Sequence, residues 1–211
     1  MLLFCCHDNR PIWAFTMSDL PAAVEENLRL LCAEVEGQLS YFQAYFEQPD
    51  AATAQRVILR AGYSYNLSSR VQSASLQALS RKRVAKNRRL LLQNSAFVAR
   101  NLELIARMVR RSLEHAEKIR NPALLRPAAY SKPIKSVRRT VAEILPAFGA
   151  QDSTKAVRIG QRQTELDDLY DQLFRTYTRD MGKTKHTEDL ANALLAANEV
   201  RRLGEALRGI S

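Results

Sequence analysis

Two ionisable pairs at helical spacing are the residues in this sequence that are best placed to do chemistry. Glu103 is followed four residues later by Arg107, and Arg201 is followed four residues later by Glu205. In a helix this spacing puts both members of a pair on one face, within reach of each other or of a shared ligand. We therefore expect each pair to form a regulatory or structural ion pair on a helix surface.

The segments around these pairs are degraded copies of each other. Residues 97–107 read FVARNLELIAR, and residues 197–205 read ANEVRRLGE. A second match precedes them, because residues 46–50 resemble residues 148–152 and each is followed by an alanine-containing segment that reads as a helix start. A repeat of this size predicts two similar helical bundles in tandem.

The sequence shows none of the common catalytic motifs. It contains no GxxxxGK[ST], GxSxG or HExxH motif,. The Gly182-Lys183-Thr184 run resembles the end of a phosphate-binding loop, but it lacks the upstream glycine and reads as a helix stop. The three histidines are far apart and share no ligand spacing. We therefore predict that the protein is not an enzyme.

Six helices are predicted to position the two pairs. The first runs from about residue 21 to residue 47, where apolar residues recur at steps of three or four, and Pro49 ends it,. The second runs from about residue 51 to the end of the seventies. The candidate buried residues of the second helix are Val57, Leu59, Tyr63, Leu67, Val71 and Leu76. The third carries the Glu103 pair and ends near Ile119.

The second group of three helices follows a proline-containing interval. Residues 121–133 hold three of the seven prolines and are predicted to be a linker,. The remaining helices start near Ile134, near Asp152 and at Thr187, and the last of them carries the Arg201 pair. The predicted organisation is a flexible tail over 1–18, a first three-helix repeat over 19–120, the linker, and a second repeat over 134–211.

Composition agrees with this all-α prediction. Only 7 Gly and 7 Pro occur in 211 residues, and no strand-like alternation is sustained,. Three cysteines without CxxC spacing indicate neither a zinc site nor a disulfide framework, so a reducing cytoplasm fits best,. The apolar start of the chain is too short to cross a bilayer, and Met17 is an alternative first residue because the helical pattern begins after it,.

The formal net charge of +10 favours anionic partners,. Much of the positive charge lies in one dense run, which we call the basic cluster and place either in a turn or at the start of the third helix. A solvated helix face is the simplest explanation for such a run. The basic cluster consists of Arg81, Lys82, Arg83, Lys86, Arg88 and Arg89.

With these features, the sequence resembles the PhoU family of phosphate-uptake regulators, over roughly residues 19–211. Members of that family fold as two tandem three-helix bundles and carry a motif close to Arg-x-Leu-Glu-Arg-Ile-Gly-Asp in the third helix of each. Residues 100–107 match the start of this motif, and residues 200–205 match its end. Residues 164–170, TELDDLY, resemble the acidic second helix of a family repeat.

The resemblance implies metal sites, and the departures from the motif alter them. In the family, the motif acids and acids of the second helix hold multinuclear clusters of iron, zinc or similar ions. The metal ligands carried over to this chain are Glu103, Glu205 and Asp167, although Asp167 with Asp168 and Asp171 also reads as a solvent-facing acidic stripe. Arg107 and Arg201 stand where the other motif acids belong, and Ala61, Tyr65 and Gln163 fall at positions that are often acidic. We expect no cofactor, because the arginines would replace the divalent or ferric ions as salt-bridge partners.

The function implied by the resemblance is that of a cytoplasmic regulator or adaptor in phosphate transport or phosphate signalling. It would dock on a transporter component or a sensor kinase, and a homodimer is compatible with this. Two alternatives rest on the basic cluster: a helical nucleic-acid-binding protein, and a membrane-peripheral accessory to a sodium/phosphate cotransporter. No helix-turn-helix with a glycine-bearing turn supports the nucleic-acid alternative.

Overall fold

The computed structural model describes residues 19–81, 84–150 and 152–211, and these residues contain no β-strand. The all-α fold class is confirmed, while the predicted tail over 1–18 lies outside the described residues. The helices are α1 Ala22–Glu47, α2 Ala51–Ile58, α3 Ala61–Leu79, α4 Lys86–Ala116, α5 Ala128–Ala150, α6 Ser153–Met181 and α7 Thr187–Ile210, with a short 3-10 helix over Pro122–Leu125.

The six predicted long helices are present, and the second is divided into α2 and α3 by a turn at Leu59 and Arg60. At this turn, Arg60 forms an ion pair with the buried Glu34 of α1. The turn also changes which face is buried. Val57, Leu67 and Val71 are buried as predicted, but the side chains of Leu59, Tyr63 and Leu76 are exposed.

The linker between the halves is shorter than predicted. Helix α5 begins at Ala128, so residues 128–133 are helical and Pro133 lies inside the helix. The reason is the packing of its first turn: Tyr130 is fully buried, and its ring stacks on Phe46 of α1 with 4.3 Å between centroids. A proline in the second turn removes one backbone hydrogen bond, and the burial of this aromatic pair outweighs that loss.

The rest of the connection between the two halves is fixed in place by hydrogen bonds with residues of the second half. The hydroxyl of Tyr177 donates to the carbonyl of Leu125 at 2.9 Å, in a buried position. The buried carboxylate of Asp189 accepts the backbone N–H groups of Arg120 and Asn121 at 3.3 and 3.4 Å. These contacts pair backbone N–H and C=O groups in a segment where no regular α-helix supplies partners for them.

The two groups of helices lie side by side and antiparallel. Helices α1, α3 and α4 pack on one another, α6 packs on α5 and α7, and the groups meet where α4 contacts α7 and α1 contacts α5. The direction follows from the contacts along α4, because Ser112 bonds to the carbonyl of Ala196 while Asn101 lies against Gly209. A single continuous apolar core runs through both groups.

Candidate functional site

The first ionisable pair forms on α4 as an ion pair in which the Arg107 guanidinium donates three hydrogen bonds to the Glu103 carboxylate, one of them from Nε at 3.2 Å. Nη2 of Arg107 donates to both carboxylate oxygens of Glu103, at 2.8 Å each. The Glu103 side chain is 13% exposed and that of Arg107 is 41% exposed. The pair borders a groove of about 280 Å³ between α3 and α4, which is also lined by Gly62, Tyr65 and Arg110.

The second pair forms on α7 and extends to α6. Nη1 of Arg201 lies 3.0 Å from Oε1 of Glu205 and 3.7 Å from Oδ1 of Asp167. The guanidinium also lies over the ring of Tyr170, 5.5 Å from its centroid. Arg201 therefore connects two helices, whereas Arg107 bonds along a single helix.

The two sites are charge-reversed copies of each other. In the first pair the carboxylate precedes the guanidinium along the helix, and in the second the guanidinium precedes the carboxylate. Of the three acids carried over as metal ligands, Asp167 and Glu205 meet at Arg201, and Glu103 belongs to the other pair. Across residues 19–81, 84–150 and 152–211, no three His, Cys, Asp or Glu side chains are grouped so as to hold a metal ion.

Glycine allows α7 to approach its neighbours closely beside the second pair. A Cβ atom at Gly204 would lie 2.7 Å from the Cα of Gln163 on α6, and one at Gly209 would lie 2.6 Å from Oδ1 of Asn101 on α4. Both distances are shorter than real Cβ contacts. Gly204 meets backbone and therefore sets how closely α7 approaches α6 near Arg201 and Asp167, whereas the neighbour of Gly209 is a side chain.

One buried polar cluster was missed by the sequence analysis. The carboxylate of Glu34, 4% exposed, accepts hydrogen bonds from Arg60 and from Gln38, and Gln38 also donates to Ser64. Burial opposes the ionisation of Glu34, but the hydrogen bonds from Arg60 and Gln38 and the charge of Arg60 together hold its pKa below the ordinary value. The sequence does contain an indication of this cluster, because Glu34 and Gln38 stand between apolar residues in the periodic pattern of α1.

The described part of the basic cluster lies at one end of the molecule. Arg81 follows the end of α3, and Lys86, Arg88 and Arg89 lie in the first turn of α4; all four side chains are exposed. Lys82 and Arg83 lie outside the described residues. No acidic residue occurs in the first turn of α4, so the positive charges add to the positive end of the helix dipole instead of being offset there.

No described helix has the length and apolar character needed to cross a membrane.

These features define a class of protein: an all-α chain of two antiparallel helical groups, with a surface ion pair at the same position of each. Among solved structures, the chain is similar to PhoU from Pseudomonas aeruginosa, with a TM-score of 0.79 and 18% sequence identity over 89% of this chain and 91% of that chain. The PhoU-like fold predicted from the sequence is thereby confirmed. No protein-family model and no curated protein sequence shows a significant match.

Proposed function

We propose that this chain is a PhoU-like regulator that acts by binding a partner protein, in phosphate transport or phosphate-responsive signalling. The observation that supports the proposal is the structural similarity to PhoU over most of both chains. Under this proposal the chain works in the cytoplasm and has no catalytic role. Binding changes the partner's activity only if one conformation of the partner is bound more tightly than another.

We assign this binding to two surface sites, the Arg107 pair on α4 and the Arg201 pair on α7. Arg107 and Arg201 are partly exposed, at 41% and 29%, and one terminal nitrogen of each, Nη1 of Arg107 and Nη2 of Arg201, is available to donate to an acidic partner while the guanidinium holds its own carboxylate,. In the groove beside Arg107, the exposed Tyr65 ring and Ala106 supply apolar surface next to the charged side chains. Guanidinium groups of this kind suit a carboxylate on a partner loop.

We also propose that the ion pairs stand in place of metal clusters. Each of the carboxylates Glu103, Asp167 and Glu205 faces a guanidinium in the structure. A cation would have to displace that positive charge before it could bind. Metal analysis of the purified chain is expected to find no stoichiometric transition metal, and a bound metal that disappears in the Glu103→Ala/Glu205→Ala variant would overturn this proposal.

The function is tested by affinity purification of the tagged chain from phosphate-replete and phosphate-starved cells of its own organism, with nuclease treatment and mass spectrometry. A phosphate transporter component or a sensor kinase should be recovered, and an Arg107→Glu variant should lose it. The matched control is Arg29→Glu, because Arg29 forms an i,i+4 pair of the same 2.8 Å length with Glu25 on α1. Recovery that is unaffected by Arg107→Glu and Arg201→Glu would remove the assigned surface, and absence of both partner types in both conditions would remove the phosphate function.

The exposed basic cluster favours nucleic acid binding as a second candidate function. Charges that contact phosphates release counterions, so the logarithm of affinity should fall steeply with the logarithm of the salt concentration. Replacing Lys86, Arg88 and Arg89 by glutamine should then reduce both affinity and salt dependence. Binding that is the same in the variant would dismiss this candidate.

A further inference from the structure

A groove of about 340 Å³ opens at the end of the molecule where α4 and α6 begin and where α5 and α7 end. This volume is in the range of pockets that bind small organic molecules. The main apolar side chains that line it are Leu90, Leu91, Phe148, Ile159 and Ile210. Leu90 is 49% exposed there, so an apolar surface at this end of the core is left open by the described residues.

The chain enters the fold beside this groove. Helices α1 and α4 run in the same direction, and their far ends are joined by a hydrogen bond of 2.7 Å from Tyr45 to Glu117. Ala22 lies 23 residues before Tyr45, and Asn94 lies 23 residues before Glu117. Because both helices rise equally per residue, the start of α1 is level with Asn94, which lines the groove.

The segment that precedes α1 has a composition suited to such a surface. Residues 11–16 read PIWAFT and contain no charged side chain. Trp13 lies six residues before Asp19, a reach of about 20 Å when extended. Neighbouring helix axes are about 8–10 Å apart, and α1 contacts both α4 and α5, which form two walls of the groove. The segment is therefore long enough to reach it.

We propose that residues 11–16 of the same chain occupy this groove, with Trp13 as the principal side chain. An aromatic ring contributes more apolar contact area than any other kind of side chain, and the indole N–H can find acceptors among the polar residues at the groove margin. Those polar residues are Asn87, Asn94, Asp152 and Ser153. The bound segment would cover Leu90 and extend the shared core at this end of the bundle.

The fluorescence of the full chain tests this directly, because Trp13 is its single tryptophan. In the folded protein we expect emission that is shifted to the blue of the guanidinium-unfolded protein, and an acrylamide quenching constant that is several-fold lower. Leu90→Asp should shift the emission to the red and raise the quenching constant. The matched control is Leu195→Asp, since Leu195 on α7 is 46% exposed and does not line the groove; it should leave both values unchanged.

A second variant tests whether the change in Trp13 fluorescence could be caused by misfolding. Ile210→Asp alters the last residue of α7, and it should have the same effect as Leu90→Asp with the helical circular dichroism retained. Folded protein whose Trp13 emits and is quenched like the unfolded chain would overturn the proposal, as would a blue-shifted emission that neither variant changes. A blue shift that is lost on dilution together with a halving of the molecular mass would assign the groove to a second copy of the chain instead.

Discussion

Gly204 of α7 lies directly against the backbone of Gln163 on α6, such that an added Cβ atom would be 2.7 Å from the Cα of Gln163. The neighbouring residue in the chain is Glu205, and Arg201 lies about one turn before it on the same helix. The contact therefore determines how far Arg201 must reach to meet Asp167. The close backbone approach at Gly204 and the ion pair of Arg201 with Asp167 therefore belong to the same contact between α6 and α7.

Replacing Gly204 by alanine should destabilise the protein. The added methyl group meets backbone and must separate α6 from α7, and overpacking of this kind costs about 1–3 kcal/mol. The measurement is the free energy of unfolding from urea titration. Gly37→Ala is the control, because nothing lies within 4 Å of a Cβ atom at that position; it should stabilise α1 by about 0.5–1 kcal/mol. Equal effects of the two substitutions would contradict the close approach.

The buried Glu34 should make stability depend on pH. Its pKa in the folded protein is below the ordinary value of 4.5, so it stabilises the fold above pH 4.5 and this stabilisation is lost as the pH falls through the folded pKa,. Glu34→Gln should lower the free energy of unfolding at neutral pH by about 1–3 kcal/mol, because Arg60 loses its charged acceptor. The difference between variant and wild type should narrow in acid.

Urea titrations between pH 3 and pH 7 measure this difference. The comparison variant is Glu25→Gln, which removes a similar carboxylate from an exposed i,i+4 pair with Arg29 and should cost no more than about 0.5 kcal/mol. If the free energy of unfolding of Glu34→Gln differs from that of the wild type by a constant amount over this pH range, then Arg60 does not lower the pKa of Glu34.

Arg201 should contribute more to stability than Arg107. Arg107 bonds along one helix, where such pairs contribute about 0.2–0.5 kcal/mol, whereas Arg201 contacts Glu205, Asp167 and the ring of Tyr170. Each of the added contacts is partly exposed and contributes at most about 1 kcal/mol. A double-mutant cycle of Arg201→Ala with Asp167→Asn should give a favourable coupling energy between α6 and α7. A coupling of zero would mean that the two residues do not interact in solution.

Cys32 should be inert in the folded protein. Its thiol is buried, and burial together with the nearby Glu36 carboxylate raises its pKa to about 12, so the reactive thiolate is scarce at pH 8. In a Cys5→Ser/Cys6→Ser variant, Ellman's reagent should release no colour until denaturant is added. Rapid labelling without denaturant would mean that α1 opens readily at this position.

The sequence predicted the helices well where their ends are marked by local chemistry. Pro49 ends α1, and the side chain of Asp50 then caps α2 by accepting the backbone N–H of Thr53 at 2.9 Å. Asp152 caps α6 in the same way. These signals depend on a few adjacent residues, so they can be read without knowledge of the tertiary fold.

The errors arose where contacts distant in sequence decide the local structure. The turn at Arg60 depends on Glu34, 26 residues away, and the two residues of the turn, Leu59 and Arg60, include neither proline nor glycine. The early start of α5 depends on Tyr130 stacking on Phe46, which outweighs Pro133. For the candidate site, the i,i+4 spacing places the members of each pair on one helix face, but it carries no information about the contact of Arg201 with Asp167 on another helix.

The antiparallel contact between α4 and α7 has a consequence for synthesis of the chain. Ser112 and the carbonyl of Ala196 are 84 residues apart, so the side of α4 that packs on α7 has no partner until the last helix has left the ribosome, although its other side packs on α1 and α3 earlier. Contacts of such long range also slow folding. A nascent chain that has completed only its first repeat therefore presents an open apolar face, and it is at this stage that the protein would be most dependent on chaperones.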